Sequence, residues 1–107
     1  MITVVRAQEA KRRTSFGVSF DLLAEGPASM MTLMRYSLSS VIPFHSHPNE
    51  QIGYVLVGRI RVLTRDGQVE LGAGDSYVIP ASVEHSIQIL EEAQELQVFS
   101  PPRPEFR

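Results

Sequence analysis

At 107 residues with 43% apolar side chains, the chain is long enough to bury one core and too short for two. Its 10 basic and 12 acidic residues are interspersed, for a net charge of −2, which excludes the basic stripe of a nucleic-acid binder. The absence of cysteine excludes disulfides, thiolate nucleophiles and Cys-type zinc sites, and no apolar run approaches a membrane span or a secretory signal. The expectation is a cytoplasmic protein, a single domain over residues 1–107, with neither nucleic acid nor membrane as partner.

In chain order, Ile2 to Val5 reads as an edge strand and Ala7 to Arg13 as a helical turn or two, with Lys11-Arg12-Arg13 in a solvated loop or helix end. Phe16 to Leu23 alternates as a strand, with Val18, Phe20 and Leu22 on one parity. Glu25-Gly26-Pro27 is a turn, and Ala28 to Leu38 a second strand whose methionines suit an irregular core. From Gln51 to Val57 both parities are apolar, as in a strand covered on both sides, and Gly58 is expected to end it. Ile60 to Arg65 and Gln68 to Leu71 flank Asp66-Gly67, a type I′ hairpin signal. Ser76 to Ile79, His85 to Leu90 and Glu95 to Phe99 follow as short strands, and the proline-rich tail from Ser100 fits neither a central strand nor a regular helix. Short strands at this spacing predict an all-β fold, a jelly-roll barrel.

The chemistry concentrates in His45-Ser46-His47-Pro48-Asn49-Glu50-Gln51. On a strand, residues i and i+2 share a face, so both imidazoles can point at one spot. Neutral imidazole is the commonest protein ligand for a transition metal. His85, the one other histidine, can close such a site. The bland alternative is a set of hydrogen-bonded barrel histidines.

These residues resemble the two motifs of the cupins, small jelly-roll barrels with a metal in the barrel mouth. The first motif, about 39–58, is met by His45, His47, Gln51 and Gly58; the second, about 74–89, by Gly74, Pro80 and His85. Ser39 and Ser82 stand at positions where the family often has glycine, and Ile89 where many members have asparagine. The resemblance implies a divalent transition metal (Fe, Mn, Ni, Zn or Cu) held by His45, His47, Gln51 and His85, and a homodimer. Gln51 replaces the usual glutamate, so the four donors are neutral and the metal would favour anionic partners. Glu50 is the rival fourth ligand, although its parity and its spacing to Gly58 disfavour it.

A narrower resemblance joins Gln97-Val98-Phe99-Ser100-Pro101-Pro102-Arg103 to the closing segment of cupins that linearise unsaturated uronates in pectin and alginate breakdown. It implies catalytic-site roles for Arg103, Phe99 and Gln97. Arg103 would anchor a substrate carboxylate or else be a solvated arginine after a proline turn, and Phe99 would shape the pocket. Gln97 stands where those enzymes carry an aspartate, and an amide cannot exchange protons in the useful range. Three readings follow: an enzyme acting on a small carboxylated, sugar-acid-like substrate, a non-catalytic small-ligand sensor, and a metal-dependent dioxygenase. With no further base in view, Tyr54 and Tyr77 read as packing residues and a metal-bound water as the base.

Overall fold

Antiparallel pairing organises the computed structural model, which describes residues 1–107. Its strands are β1 (Lys11–Ser15), β2 (Val18–Glu25), β3 (Met30–Tyr36), β4 (Val41–His45), β5 (Glu50–Thr64), β6 (Gly67–Gly72), β7 (Ser76–Ile79) and β8 (His85–Ser100). The only helical pieces are single 3₁₀ turns at Ala7–Glu9 and Pro104–Phe106, and no helix is long and apolar enough to cross a membrane.

Strands β5 and β8 pair from Glu50↔Ser100 to Thr64↔His85 and belong to both halves of the barrel. In one half β3 and β7 flank this ladder, with β2 and β1 beyond β3; in the other, β4 and β6 flank it. Fifteen buried apolar residues, among them Phe20, Met30, Val55, Ile60 and Phe99, fill the interior.

The continuity of β5 corrects the expectation that Gly58 ends a strand. Register shifts between Val55 and Ile60 form bulges, and Gly58 adopts φ +82°. A Cβ there would lie 2.0 Å from the Glu92 carbonyl oxygen, so only glycine fits. Across the bulge the buried parity changes from Gln51, Gly53 and Val55 to Ile60 and Val62. Likewise β8 is one strand rather than two, and His85, Ile87, Ala93, Glu95, Gln97 and Phe99 share its inner face. The opposite face of β5 is not covered within the chain: Ile52, Tyr54 and Leu56 are exposed.

Three local expectations also change. Ile2 to Val5 forms no strand, and the helical segment shrinks to Ala7–Glu9. Lys11-Arg12-Arg13 lies in β1, because the Phe16-Gly17 turn, with φ of 51° and 74°, folds it onto β2. Asp21 of β2 binds Arg12 at 2.5 Å and Arg35 at 2.7 Å, so the basic run is tethered to the sheet. Finally, Thr64 pairs with Gly67, which makes Arg65-Asp66 the hairpin loop. Neither loop residue has positive φ, so the turn is not type I′.

Candidate metal centre

Strand register places His45 and His85. His45 is the last residue of β4 and pairs with His85, the first of β8, so their rings meet at a tilt with centroids 4.4 Å apart. His47 lies past the end of β4, in the loop rather than on the strand, which corrects the i, i+2 argument. The loop returns its ring to within 5.1 Å of His85 and 5.7 Å of His45. Two contacts hold that loop: the Ser82 N–H donates to the His47 carbonyl at 2.8 Å, and buried Asn49 donates to the carbonyls of Pro101 and Pro102 at 2.5 and 3.3 Å. Ser82 adopts φ +67°, which explains why glycine suits this position.

The hydrogen bonds of the rings fix their chemistry. Each Nδ1 lies against a backbone carbonyl: Pro43 at 2.8 Å for His45, Asn49 at 3.0 Å for His47, Val83 at 2.9 Å for His85. A carbonyl can only accept, so each Nδ1 carries the proton and each neutral ring keeps its Nε2 lone pair. Burial, with His45, His47 and Arg103 nearby, lowers the His85 pKa to about 4; burial and Arg103 lower that of His47. Near neutrality both therefore stay unprotonated, as metal ligation requires. One ligand nitrogen from each ring lies within 4.8 Å of the others, and the buried His85 Nε2 has no hydrogen-bond partner.

Gln51 completes the fit. It is buried on β5, and its Oε1 lies 3.1 Å from the His47 Nε2. With Nδ1 protonated, these are two acceptors facing one another, an arrangement that a cation between them would relieve. The donor set suits a divalent transition metal, with three imidazoles and one amide oxygen and no compensating charge. Glu50 is exposed on the opposite face of β5 and cannot join it.

The closing segment lies beside this cluster. Arg103 is 8% exposed, not solvated; its guanidinium stacks 4.1 Å over Phe106, and Glu105 reaches it only at 3.6 Å. Its Nε has no partner. It lines a small cavity, about 30 Å³, together with Tyr36, His45, Gln51, His85 and Gln97. Phe99, expected to shape the pocket, lies behind it, fully buried with its ring 5.7 Å from His47. The aromatic walls are instead Tyr36, Phe106 and Phe16, whose ring lies tilted with its centroid 5.2 Å from that of His45.

Beneath the cavity lies a polar network that the sequence reading missed. Glu95, with no exposed surface, accepts at Oε1 from Tyr36 (2.6 Å), Gln97 Nε2 (2.7 Å) and Tyr77 (3.2 Å). Tyr77, read as a packing residue, also accepts from Gln51 Nε2 at 3.1 Å. Burial raises the Glu95 pKa to about 6, against the lowering effect of these three donors. The available signal was parity: Glu95 shares the inward face of β8 with Gln97 and Phe99.

Several solved structures share the architecture. An RmlC-like cupin from Shewanella frigidimarina superposes with a TM-score of 0.89 at 21% identity, covering 100% of this chain and 97% of its own. KdgF from a Halomonas species does so with 0.89 at 24% identity, over the whole of both chains. Oxalate decarboxylase from Lactobacillus farciminis, in a formate complex, gives 0.74 at 24% identity over 94% of this chain and 32% of its own. No curated protein matches the chain. Residues 32–100 match the family described as the Cupin domain, and with that match, the barrel and the three-histidine cluster in its mouth, the chain belongs to the cupin family.

Proposed function

We propose that this cupin is a metal-dependent enzyme acting on a small carboxylated substrate of the sugar-acid class, with His45, His47, Gln51 and His85 as metal ligands. The observation that carries the reading is the juxtaposition, in one cavity, of the His45 and His85 rings with Arg103, a buried guanidinium whose one carboxylate neighbour, the exposed Glu105, stands 3.6 Å away. Arg103 binds the substrate carboxylate and orients it toward the ligand set, since guanidinium and carboxylate match as paired donors and acceptors. When bound, the metal supplies Lewis-acid polarisation of a substrate oxygen.

Proton handling falls to Tyr36 and Glu95, because Gln97 cannot titrate. Tyr36 lines the cavity, and its hydroxyl lies 2.6 Å from Glu95. As the Tyr36 oxygen takes a proton from substrate, its own proton passes to Glu95, and the reverse transfer completes an isomerisation with no net proton change. A pKa of about 6 suits Glu95 to both directions near neutrality. The likeness to uronate-linearising cupins makes a 4,5-unsaturated uronate the first substrate to try.

The test is to follow that uronate by proton NMR with metal-loaded protein. Turnover is expected, with Arg103→Ala raising KM about tenfold or more at unchanged metal content. Equal kinetics in the variant contradict the carboxylate-anchor role. The second reading, a sensor that binds without turnover, is favoured by Gln97, whose amide nitrogen is already engaged by Glu95, Tyr36 and Tyr77. Saturable binding without product over long incubation would select it.

We also infer a homodimer through the outer face of the sheet. Met31, Val98, Ile52 and Val78 form one cross-strand row over β3, β8, β5 and β7, and Tyr54 lies in the adjacent row beside Leu96. All but Val98 and Leu96 are exposed, a contiguous apolar surface of the kind a second copy covers. Sedimentation at micromolar concentration is expected to give a dimer; a monomer overturns this.

A further inference from the structure

We propose that Tyr77 and Glu95 fix the orientation of the Gln51 amide, so that its oxygen faces His47 and the site is set for a cation instead of a His–Gln hydrogen bond. The inference rests on Gln51 being a metal ligand, as proposed above.

An amide side chain has two nearly isosteric orientations, and only one offers oxygen to a metal. Left to itself, Gln51 would turn its NH₂ toward the His47 Nε2, because that contact is then a hydrogen bond. The network prevents this. Glu95 Oε1 lies 2.7 Å from the Gln97 amide nitrogen, which can only donate, so this oxygen is an acceptor. It stays one whether or not the carboxyl is protonated, because a proton can reside on Oε2, which has no partner. Tyr77 therefore spends its single hydroxyl proton on Glu95, 3.2 Å away. Its oxygen is left as an acceptor, met by Gln51 Nε2 at 3.1 Å and, more weakly, by Gln97 Nε2 at 3.4 Å. The Gln51 Oε1 is then directed at the His47 Nε2, 3.1 Å away, where the lone pairs oppose unless a cation lies between them. Every member of the chain is buried or half-buried, so water does not readily replace a missing partner.

Tyr77 and Glu95 hydrogen-bond to none of the imidazole nitrogens and are not among the residues that line the cavity; they are positioning residues acting through Gln51. The argument also says when they should stop mattering. A carboxylate at position 51 offers oxygen in either orientation, so the Q51E variant has nothing to orient.

The test is a double-mutant cycle read by Co(II) affinity, measured by competition with a chromophoric chelator, with the visible Co(II) spectrum as a second signature. In the Gln51 background, Tyr77→Phe is expected to weaken Co(II) binding about tenfold or more, as removal of an outer-sphere partner does. In the Q51E background the same substitution is expected to change affinity by less than about threefold. Tyr36→Phe, which removes a different hydroxyl from Glu95, should leave affinity within about twofold. Equal losses from Tyr77→Phe in both backgrounds would mean a merely structural role and overturn the proposal. No loss in the Gln51 background overturns it as well. If the unmutated protein binds no Co(II) at all, the metal-centre reading fails and this inference with it. Should Tyr77→Phe not fold, as judged by circular dichroism, Glu95→Met carries the same cycle, because it frees the Tyr77 hydroxyl to turn toward Gln51.

Discussion

The barrel buries two polar clusters, and they differ in what they lack. The Glu95 network supplies three donors to one carboxylate oxygen and is satisfied by the chain alone except at Oε2. In the histidine cluster a backbone carbonyl holds each Nδ1, one nitrogen of each ring comes within 4.8 Å of the others, and the buried His85 Nε2 has no hydrogen-bond partner. Buried polar groups are normally paired, so an unpartnered His85 Nε2 among converging imidazoles fits a cation site. The first cluster is thus satisfied largely within the chain, the second fits a divalent metal, and Gln51 touches both.

The contrast can be broken from the Glu95 side first. A Cβ on Gly53 would lie 2.2 Å from the Tyr77 ring and 2.6 Å from Glu95 Oε2. Gly53→Ala must displace both, and we expect it to destabilise the protein by roughly 3 kcal/mol in urea unfolding, as overpacking a dry core does. A cost below about 1 kcal/mol would show the network to be loose.

The two clusters should also respond to pH in opposite senses in chelator-stripped protein. His85, held near 4 in the fold, stays neutral where the unfolded chain, near 6.5, takes up a proton. Stability is therefore lost as pH falls from 6.5 toward 4, by roughly 3 kcal/mol when complete. His85→Gln should remove most of that slope. Glu95, raised from 4.5 to about 6, is protonated in the fold where the unfolded chain has ionised. Its effect runs the other way: stability falls as pH rises from 4.5 through 6, by roughly 2 kcal/mol. The Glu95→Gln variant cannot ionise, so its stability relative to wild type should rise by about that amount between pH 4 and 7.5. A constant difference would place the Glu95 pKa at its ordinary value.

The smallest effect expected sharpens the account of the loop that carries His47. Ser82 holds a left-handed conformation while its N–H bonds the His47 carbonyl. Ser82→Gly relieves that conformation at some cost in unfolded-chain entropy, for a net gain of about 0.5 kcal/mol. A loss would mean that the serine hydroxyl contributes more than the backbone strain costs.

Of these two clusters, the histidines were legible in the sequence and the Glu95 network was not. His45, His47, Gln51 and His85 stand out because histidine is scarce in this chain and the spacing is motif-like. Their convergence depends on the His45↔His85 register, which the sequence only suggests. Glu95 was passed over because carboxylates are rarely buried without a partner, and its partners Tyr36 and Tyr77 lie on distant strands. The strand breaks placed at Gly58 and after Leu90 were bulges, which look like ends when the ladder partner is unknown. Strand β1 has no apolar pattern at all; pairing and the Asp21 ion pairs hold Lys11 to Ser15 extended.

The central claim is that the three imidazoles and Gln51 form a metal site, and elemental analysis of tag-free protein beside His45→Ala/His85→Ala addresses it most directly. The account predicts near-stoichiometric divalent metal in the wild type, after reconstitution if necessary, and none above background in the folded variant. Equal metal in both proteins, or none in either after reconstitution, would contradict it.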